Sequence, residues 1–319
     1  MAHLPTPVEE LARLSEALGG PRILVKRDDQ TGLATGGNKT RKLEFLLGDA
    51  LAQGADTIVT GGAAQSNHCR QTAAAAARVG LSCALVLGGE PPELATGNVL
   101  LDLLFDAQLY WTGMHRRGER LHEVVQALEK DGRRPYLIPY GGSTAVGAMG
   151  YVAAMMELTE QLEAQGLNVD RIVVASSSGG TQAGMVVGAR AANLDLQVLG
   201  IVIDKSEGDE PYATRLARLA NDTAMHAGID ATLQPGDFHL NYDYLGAGYG
   251  VVGEQEQEAI RLVARLEGLL LDPVYTGRAM GGLIDMIRRG MIGANETVLF
   301  WHTGGIPALF AYARELVPS

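Results

Sequence analysis

The sequence predicts an α/β protein whose parallel sheets are covered by helices on both faces. Short β-branched runs alternate with longer helical stretches along the whole chain. Several of those runs end in Gly/Ser/Thr-rich loops that lead directly into helices, the places where such sheets bind ligands. No low-complexity linker or short repeat interrupts the alternation. The 319 residues suffice for two domains, and a hydrophobic content of 46% supplies a core without disulfides.

The first 20 residues read as a Pro-flanked polar segment and a short helix, unlike a signal peptide. A strand at 23–25 follows, then a helix from Asn38 to about Gln53. Residues 57–60 form a strand ending at Gly61-Gly62, and an alanine-rich helix occupies 66–79. A strand at 82–87, a helix at 97–105, a strand at 108–111 and a helix at 119–130 come next. Residues 136–139 are a strand ending in Gly141-Gly142, and 145–164 a helix. The second half reads as strand 171–175, loop 176–180, helix 181–192 and strand 197–203. Helices at 211–227, 253–267 and 276–289 precede a last strand, 297–301, that ends at Thr303-Gly304-Gly305.

Composition excludes several classes of function. A net charge of -11 and a pI of about 5.1 argue against non-specific binding to nucleic acid or anionic membranes. Cys69 and Cys83 lie well apart with no CxxC, so no disulfide framework is expected and the cytosol is the natural compartment. No apolar run is long enough to span a bilayer. The seven histidines are scattered, with no HExxH, so no metal site is expected, and there is no GxSxG elbow.

Three stretches carry chemistry. In Gly36-Gly37-Asn38-Lys39-Thr40-Arg41-Lys42, Lys39 opens a helix directly after a Gly-Gly loop. The positive helix terminus and the Arg41-Lys42 pair both disfavour charge on its amine and lower its pKa. A lysine neutral near pH 7 is a nucleophile that forms Schiff bases, the usual anchor of pyridoxal phosphate. In Ser176-Ser177-Ser178-Gly179-Gly180-Thr181, a strand runs into a helix through glycines and hydroxyls. Backbone N–H groups converge there on an anion, and without a P-loop lysine a phosphate monoester suits the cup. In Gln65-Ser66-Asn67-His68, the side chains face the cleft beyond the preceding strand end. Asn67 is placed to bond a phenolate-like oxygen and Ser66 to touch a substrate carboxylate; by itself the segment reads first as an ordinary N-cap serine with a neighbouring Asn. Gly248-Tyr249-Gly250-Val251-Val252-Gly253 matches GxGxxG, but a poor strand precedes it and Glu254, Glu256 and Glu258 follow, which repels a pyrophosphate.

With these stretches, and with 26–29, 65–71, 272–275 and 302–305, the chain resembles the fold-type II pyridoxal-phosphate enzymes, in the branch of D-cysteine desulfhydrase and 1-aminocyclopropane-1-carboxylate (ACC) deaminase. The resemblance covers nearly the whole chain. It implies a tryptophan synthase β-like architecture, with a small α/β domain (48–160) inserted into a large domain (1–47 and 161–319), and a homodimer. It implies that Lys39 carries pyridoxal 5'-phosphate and moves the Cα proton. Ser177, Ser178, Gly179, Gly180 and Thr181 would cup the phosphate, and Asn67 would contact the cofactor O3′. Ser66, Asn67, His68 and Thr276 would meet a small amino-acid substrate. Tyr249 and Tyr275 would flank the site and serve in proton transfer, and Thr303 would put a hydroxyl opposite the pyridine nitrogen. ACC deaminases carry Glu and Leu where this chain has Thr276 and Thr303, the pattern of the desulfhydrases. The implied reaction is β-elimination of D-cysteine to pyruvate, sulfide and ammonia; L-cysteate sulfo-lyase and ACC deaminase are the alternatives. Cys69 stands where an aliphatic residue is expected and receives no role.

Overall fold

The computed structural model describes residues 1–115, 118–204 and 209–317. The strands are β1 (Val8–Glu10), β2 (Arg22–Lys26), β3 (Thr57–Ala63), β4 (Ser82–Gly88), β5 (Gln108–Trp111), β6 (Pro135–Leu137), β7 (Arg171–Ser176), β8 (Gln197–Val202), β9 (His239–Asn241) and β10 (Thr297–Trp301). The helices are α1 (Ala12–Leu18), α2 (Lys39–Ala52), α3 (Asn67–Arg78), α4 (Gly97–Leu104), α5 (Leu121–Lys130), α6 (Ala145–Gln165), α7 (Gly180–Ala191), α8 (Tyr212–Ala227), α9 (Glu254–Glu267), α10 (Thr276–Arg288), α11 (Pro307–Ala311) and α12 (Ala313–Leu316).

Val, Ile and Leu runs form the central strands because helices bury them from both sides. Ile172, Val173 and Val174 in β7 and Val298, Leu299 and Phe300 in β10 are all buried. They belong to a six-stranded sheet of order β1-β2-β10-β7-β8-β9, and a second sheet has the order β5-β4-β3-β6. Among the described residues, every pairing between these strands is parallel except that of β1 with β2.

The predicted alternation corresponds to most of the observed elements; the sequence reading includes neither α11 nor α12, and two further differences stand out. β3 does not end at Gly61-Gly62 but runs through both glycines to Ala63, paired with Gly61↔Val86 and Gly62↔Leu87 of β4. The edge strands β1 and β9 are three residues each, too short to show a period of two. The GxGxxG stretch lies in the connection from β9 to α9, with no strand leading into it. There Glu256 turns back onto the Gly253 N–H at 2.9 Å and onto Arg278 at 2.7 Å.

A buried ionic knot ties the N-terminal segment to three of these elements. Asp28 is fully buried; Arg41 Nε of α2 donates to its Oδ1 at 2.9 Å. Tyr151 of α6 and Trp301 of β10 donate to Oδ2 at 2.6 and 2.8 Å, and Thr6 donates to Oδ1 at 3.0 Å. Burial alone would raise the carboxyl pKa, but the Arg41 charge and the hydrogen bonds from Arg41, Tyr151 and Trp301 hold it below the usual range. Arg41 reaches further to Glu157 of α6 at 2.9 Å. Removing one member of such a pair leaves an uncompensated buried charge. Asp28→Ala is therefore expected to cost about 3–5 kcal/mol of stability in urea unfolding; a loss below about 1 kcal/mol would show that the knot carries no such weight.

Candidate active site

The carboxyl ends of β3, β6, β7 and β10 open onto one cleft between the two sheets. Residues that follow strands of both sheets line it, a concave site of the kind that takes a small molecule. The helices that follow β3 and β7 point their N-termini into it, and the start of α2 closes one side.

Lys39 is placed by its own backbone. Gly36 has φ +75°, and a Cβ there would lie 1.8 Å from the Asp29 carbonyl oxygen, so only glycine makes this turn. Arg70 of α3, fully buried, donates to the carbonyls of Ala34 and Gly36 and holds the turn. Gln71 Oε1 accepts the Lys39 N–H at 3.0 Å while its Nε2 donates to Thr40 Oγ1 at 2.7 Å. The Lys39 side chain lines the cleft, and burial moves its amine down to about 8. The direction agrees with the sequence argument, but the cause differs. The Arg41 charge is spent on Asp28 and Glu157, and desolvation, not like charge, does the lowering.

The anion cup forms where β7 meets α7. Ser177, Ser178, Gly179 and Thr181 line the cleft, with the N-terminus of α7 behind them. Gly180 does not line it. Its N–H donates to Ser143 Oγ at 3.0 Å, and a Cβ there would come within 2.7 Å of both Ser143 Oγ and Lys42 Nζ. Ser143 Oγ in turn donates to Ser178 Oγ at 2.8 Å. Asn38 Nδ2 donates to Thr181 Oγ1 at 3.0 Å. Lys42 is a participant that the sequence reading used only as a charge near Lys39. It is buried, donates to Gly141 O at 2.7 Å, and stands behind the cup. Burial, then the Lys39 charge, push its amine well down; a phosphate dianion beside it favours the charged form. Hydroxyls, a helix N-terminus and one buried lysine together fit a phosphate group, and the reactive lysine of the same cleft fits an aldehyde.

Ser66 caps α3, its Oγ accepting the Cys69 N–H at 3.2 Å. An oxygen used as acceptor keeps its hydrogen free to donate, so cap and ligand contact are compatible, and Ser66 lines the cleft. His68 is buried. Thr60 Oγ1 gives its one hydrogen to Ile138 O at 2.8 Å, so His68 Nε2, 2.9 Å from the same oxygen, must be the N–H tautomer. The bare Nδ1 is left as a buried acceptor without a partner among the described residues. Burial first, then Lys39 and Lys42, keep the ring neutral.

Tyr275 lines the cleft from the start of α10 and meets Tyr249 hydroxyl to hydroxyl at 2.6 Å. Tyr249 stands behind Tyr275, on a loop whose Gly248 and Val251 carbonyls are held by Arg278 at 3.1 and 2.9 Å. Burial raises the Tyr275 phenol well above 10, so it remains an O–H donor. Thr276 departs from the expectation that it meets substrate. It is fully buried, outside the cleft lining, and its hydroxyl bonds Asp272 Oδ1 at 2.8 Å. Asp272 also accepts the N–H groups of Tyr275 and Thr276, at 3.2 and 2.7 Å, so this buried carboxylate sets the backbone that carries Tyr275. Thr303 lines the cleft, and its carbonyl accepts the Asn38 N–H at 3.0 Å. Cys69 is core, its thiol pushed up by burial.

A strand-end cleft with a depressed lysine facing an anion cup defines an enzyme that holds a phosphorylated aldehyde cofactor. The chain belongs to the pyridoxal-phosphate dependent enzymes, whose family model matches residues 1–304. It is 46% identical over 320 residues to a D-cysteine desulfhydrase of Klebsiella pneumoniae, covering 98% of this chain and 95% of that one. A D-cysteine desulfhydrase of Salmonella typhi is likewise 46% identical, over 97% of this chain and 94% of its own. The crystal structure of an ACC deaminase homologue superposes with a TM-score of 0.90 at 40% identity, covering 99% of this chain and 94% of that chain. Pyridoxal phosphate is therefore the cofactor, and a small amino acid the substrate.

With its amine near 8, Lys39 passes from mostly charged to mostly neutral between pH 7 and 9. Only the neutral amine attacks an aldehyde. Capture of pyridoxal phosphate by the cofactor-free chain, followed by borohydride trapping and mass analysis, is expected to accelerate with pH through a midpoint near 8. A rate that stays flat across that window would contradict the assignment.

Proposed function

We propose that this chain catalyses the pyridoxal-phosphate-dependent breakdown of D-cysteine, with water, to pyruvate, hydrogen sulfide and ammonia. One observation carries the reading: a desolvated Lys39 faces the Ser177–Thr181 cup in a chain 46% identical to D-cysteine desulfhydrases. When bound, the cofactor supplies the electron sink that spreads the negative charge left at Cα.

The residues of the chain do the rest. Lys39 holds the cofactor and takes the Cα proton at its Nζ. Ser177, Ser178, Gly179 and Thr181 hold the phosphate, with Lys42 neutralising part of its charge and Gly180 keeping room for both. Ser66 donates its hydroxyl hydrogen to the substrate carboxylate, and the bare His68 Nδ1 accepts from a substrate donor. Tyr275, which lines the cleft with its phenol kept protonated by burial, is placed to protonate the departing sulfur. Asn67 would donate to the ring oxygen, and Thr303 would offer its hydroxyl to the ring nitrogen. Thr276 acts indirectly, by bracing Asp272 under Tyr275.

A hydroxyl at Thr303 favours a protonated ring less than a carboxylate would, which is adequate when a good leaving group sits on Cβ but poor for opening a cyclopropane. Among the described residues no arginine lines the cleft, which favours sulfide over the sulfonate of L-cysteate. The same reading includes an inserted domain at 48–160 within 1–47 and 161–319, supported by the membership of β3 to β6 in the smaller sheet. It includes a homodimer, supported by Leu100, Leu103 and Leu104 of α4 and Phe310 of α11, all exposed on helices packed together. It places the protein in the cytosol, supported by two free buried cysteines. Among the described residues no helix is long and apolar enough to cross a membrane.

The deciding assay offers D-cysteine, L-cysteine, L-cysteate and ACC to the loaded enzyme and follows keto acid, sulfide and sulfite together. Pyruvate with sulfide from D-cysteine alone is expected. Sulfite from cysteate, or 2-oxobutanoate from ACC, would overturn the substrate. Lys39→Ala is expected to remove both turnover and the long-wavelength absorption of the bound cofactor. Ser66→Ala is expected to lower kcat/KM for D-cysteine about 10- to 100-fold, chiefly through KM, the worth of one hydrogen bond to a charged group.

A further inference from the structure

Asn98, the second residue of α4, does not line the cleft and is fully buried. Both hydrogens of its side-chain amide are used: Nδ2 donates to the Gln65 carbonyl at 2.9 Å and to Asn67 Oδ1 at 2.9 Å. Its backbone N–H donates to Gln65 Oε1 at 2.7 Å, and Gln65 Nε2 donates to the Thr96 carbonyl at 3.1 Å. A main-chain carbonyl only accepts, so the Asn98 atom facing Gln65 O must be the NH2. The same NH2 faces Asn67, so the Asn67 atom it meets must be the oxygen. The Asn67 nitrogen is thereby turned the other way, against Gly305, where a Cβ would lie 2.7 Å from it. Asn98 Oδ1 has no partner among the described residues. What Asn98 contributes is the orientation of its neighbour.

We propose that Asn98 is a positioning residue that fixes the amide polarity of Asn67, so that the cleft wall offers an N–H donor, never a carbonyl, to the anionic ring oxygen of the cofactor. The inference rests on the reading of Asn67 as the contact to O3′. Without the brace, the Asn67 amide can turn over and set its carbonyl against that oxygen, which repels it.

Asn98→Asp puts an acceptor-only group against Gln65 O and Asn67 Oδ1 and forces that turn. Wild-type, Asn67→Ala, Asn98→Asp and doubly substituted holoenzymes are dialysed against graded pyridoxal phosphate, and the absorption of the bound cofactor is titrated with pH. Asn67→Ala and Asn98→Asp are each expected to weaken binding by about 10-fold or more and to move the absorption midpoint upward. The double variant is expected to be no worse than Asn67→Ala, because Asn98 acts only through Asn67. Full additivity, or unchanged affinity and midpoint in Asn98→Asp, overturns the positioning role and leaves the Asn67 contact standing. An Asn67→Ala enzyme with wild-type affinity and midpoint overturns the contact and the inference with it. Asn98→Ala removes the donor without adding charge; the same pattern at smaller amplitude is expected from it, and it replaces Asn98→Asp if that variant does not fold.

Discussion

The buried carboxylate of Asp28 is the constraint on which the rest of the molecule depends. Its partners come from the N-terminal segment, α2, α6 and β10, elements far apart in sequence. Arg41, its charged partner, is two residues from Lys39. A charge pair this deep tolerates no slack, because a small displacement leaves a desolvated ion unpaired. The start of α2 is therefore anchored from below by Arg41 and from the side by Gln71 and Arg70, and Lys39 emerges at one place in the cleft.

Electrostatics in the cleft follow from the same economy of polar groups. Burial drives Lys39, Lys42 and His68 toward their neutral forms. The cleft thus holds a nucleophile and an acceptor where exposed residues would carry charge, while its fixed donors gather at the cup. Tyr275 stays a phenol for the same reason. Two features are separated in space: desolvation lowers the lysine, and a helix terminus with hydroxyls gathers the donors.

A second layer of buried polar residues sets how the first presents itself. Arg278 holds the Tyr249 loop by its carbonyls, Asp272 with Thr276 holds the Tyr275 backbone, and Asn98 faces Asn67 with its amide hydrogens. These residues touch no ligand-facing surface, yet each determines a direction: a hydroxyl, a ring or an amide end. Thr276 belongs to this layer, whereas the resemblance set it against the substrate.

The alternation of strands and helices, the glycine turn before Lys39, the Ser/Gly/Thr cup and the segment from Gln65 to His68 were legible in the sequence, because each is a local pattern whose chemistry follows from neighbouring residues. The strands β1 and β9 were not, being too short to carry a period, and β3 passed through glycines that locally read as an ending. Which groups are desolvated was equally out of reach. Lys39 is depressed by burial and not by the charges beside it in the chain, Lys42 stands behind the cup, and Asn98 reaches Asn67 from 31 residues away. The sequence by itself determined the fold class, the lysine at the start of α2 and the glycine- and hydroxyl-rich turn into α7. Only the tertiary structure decided which polar groups lose water and which way their hydrogen bonds run, since both depend on partners that meet only when two sheets close on one cleft.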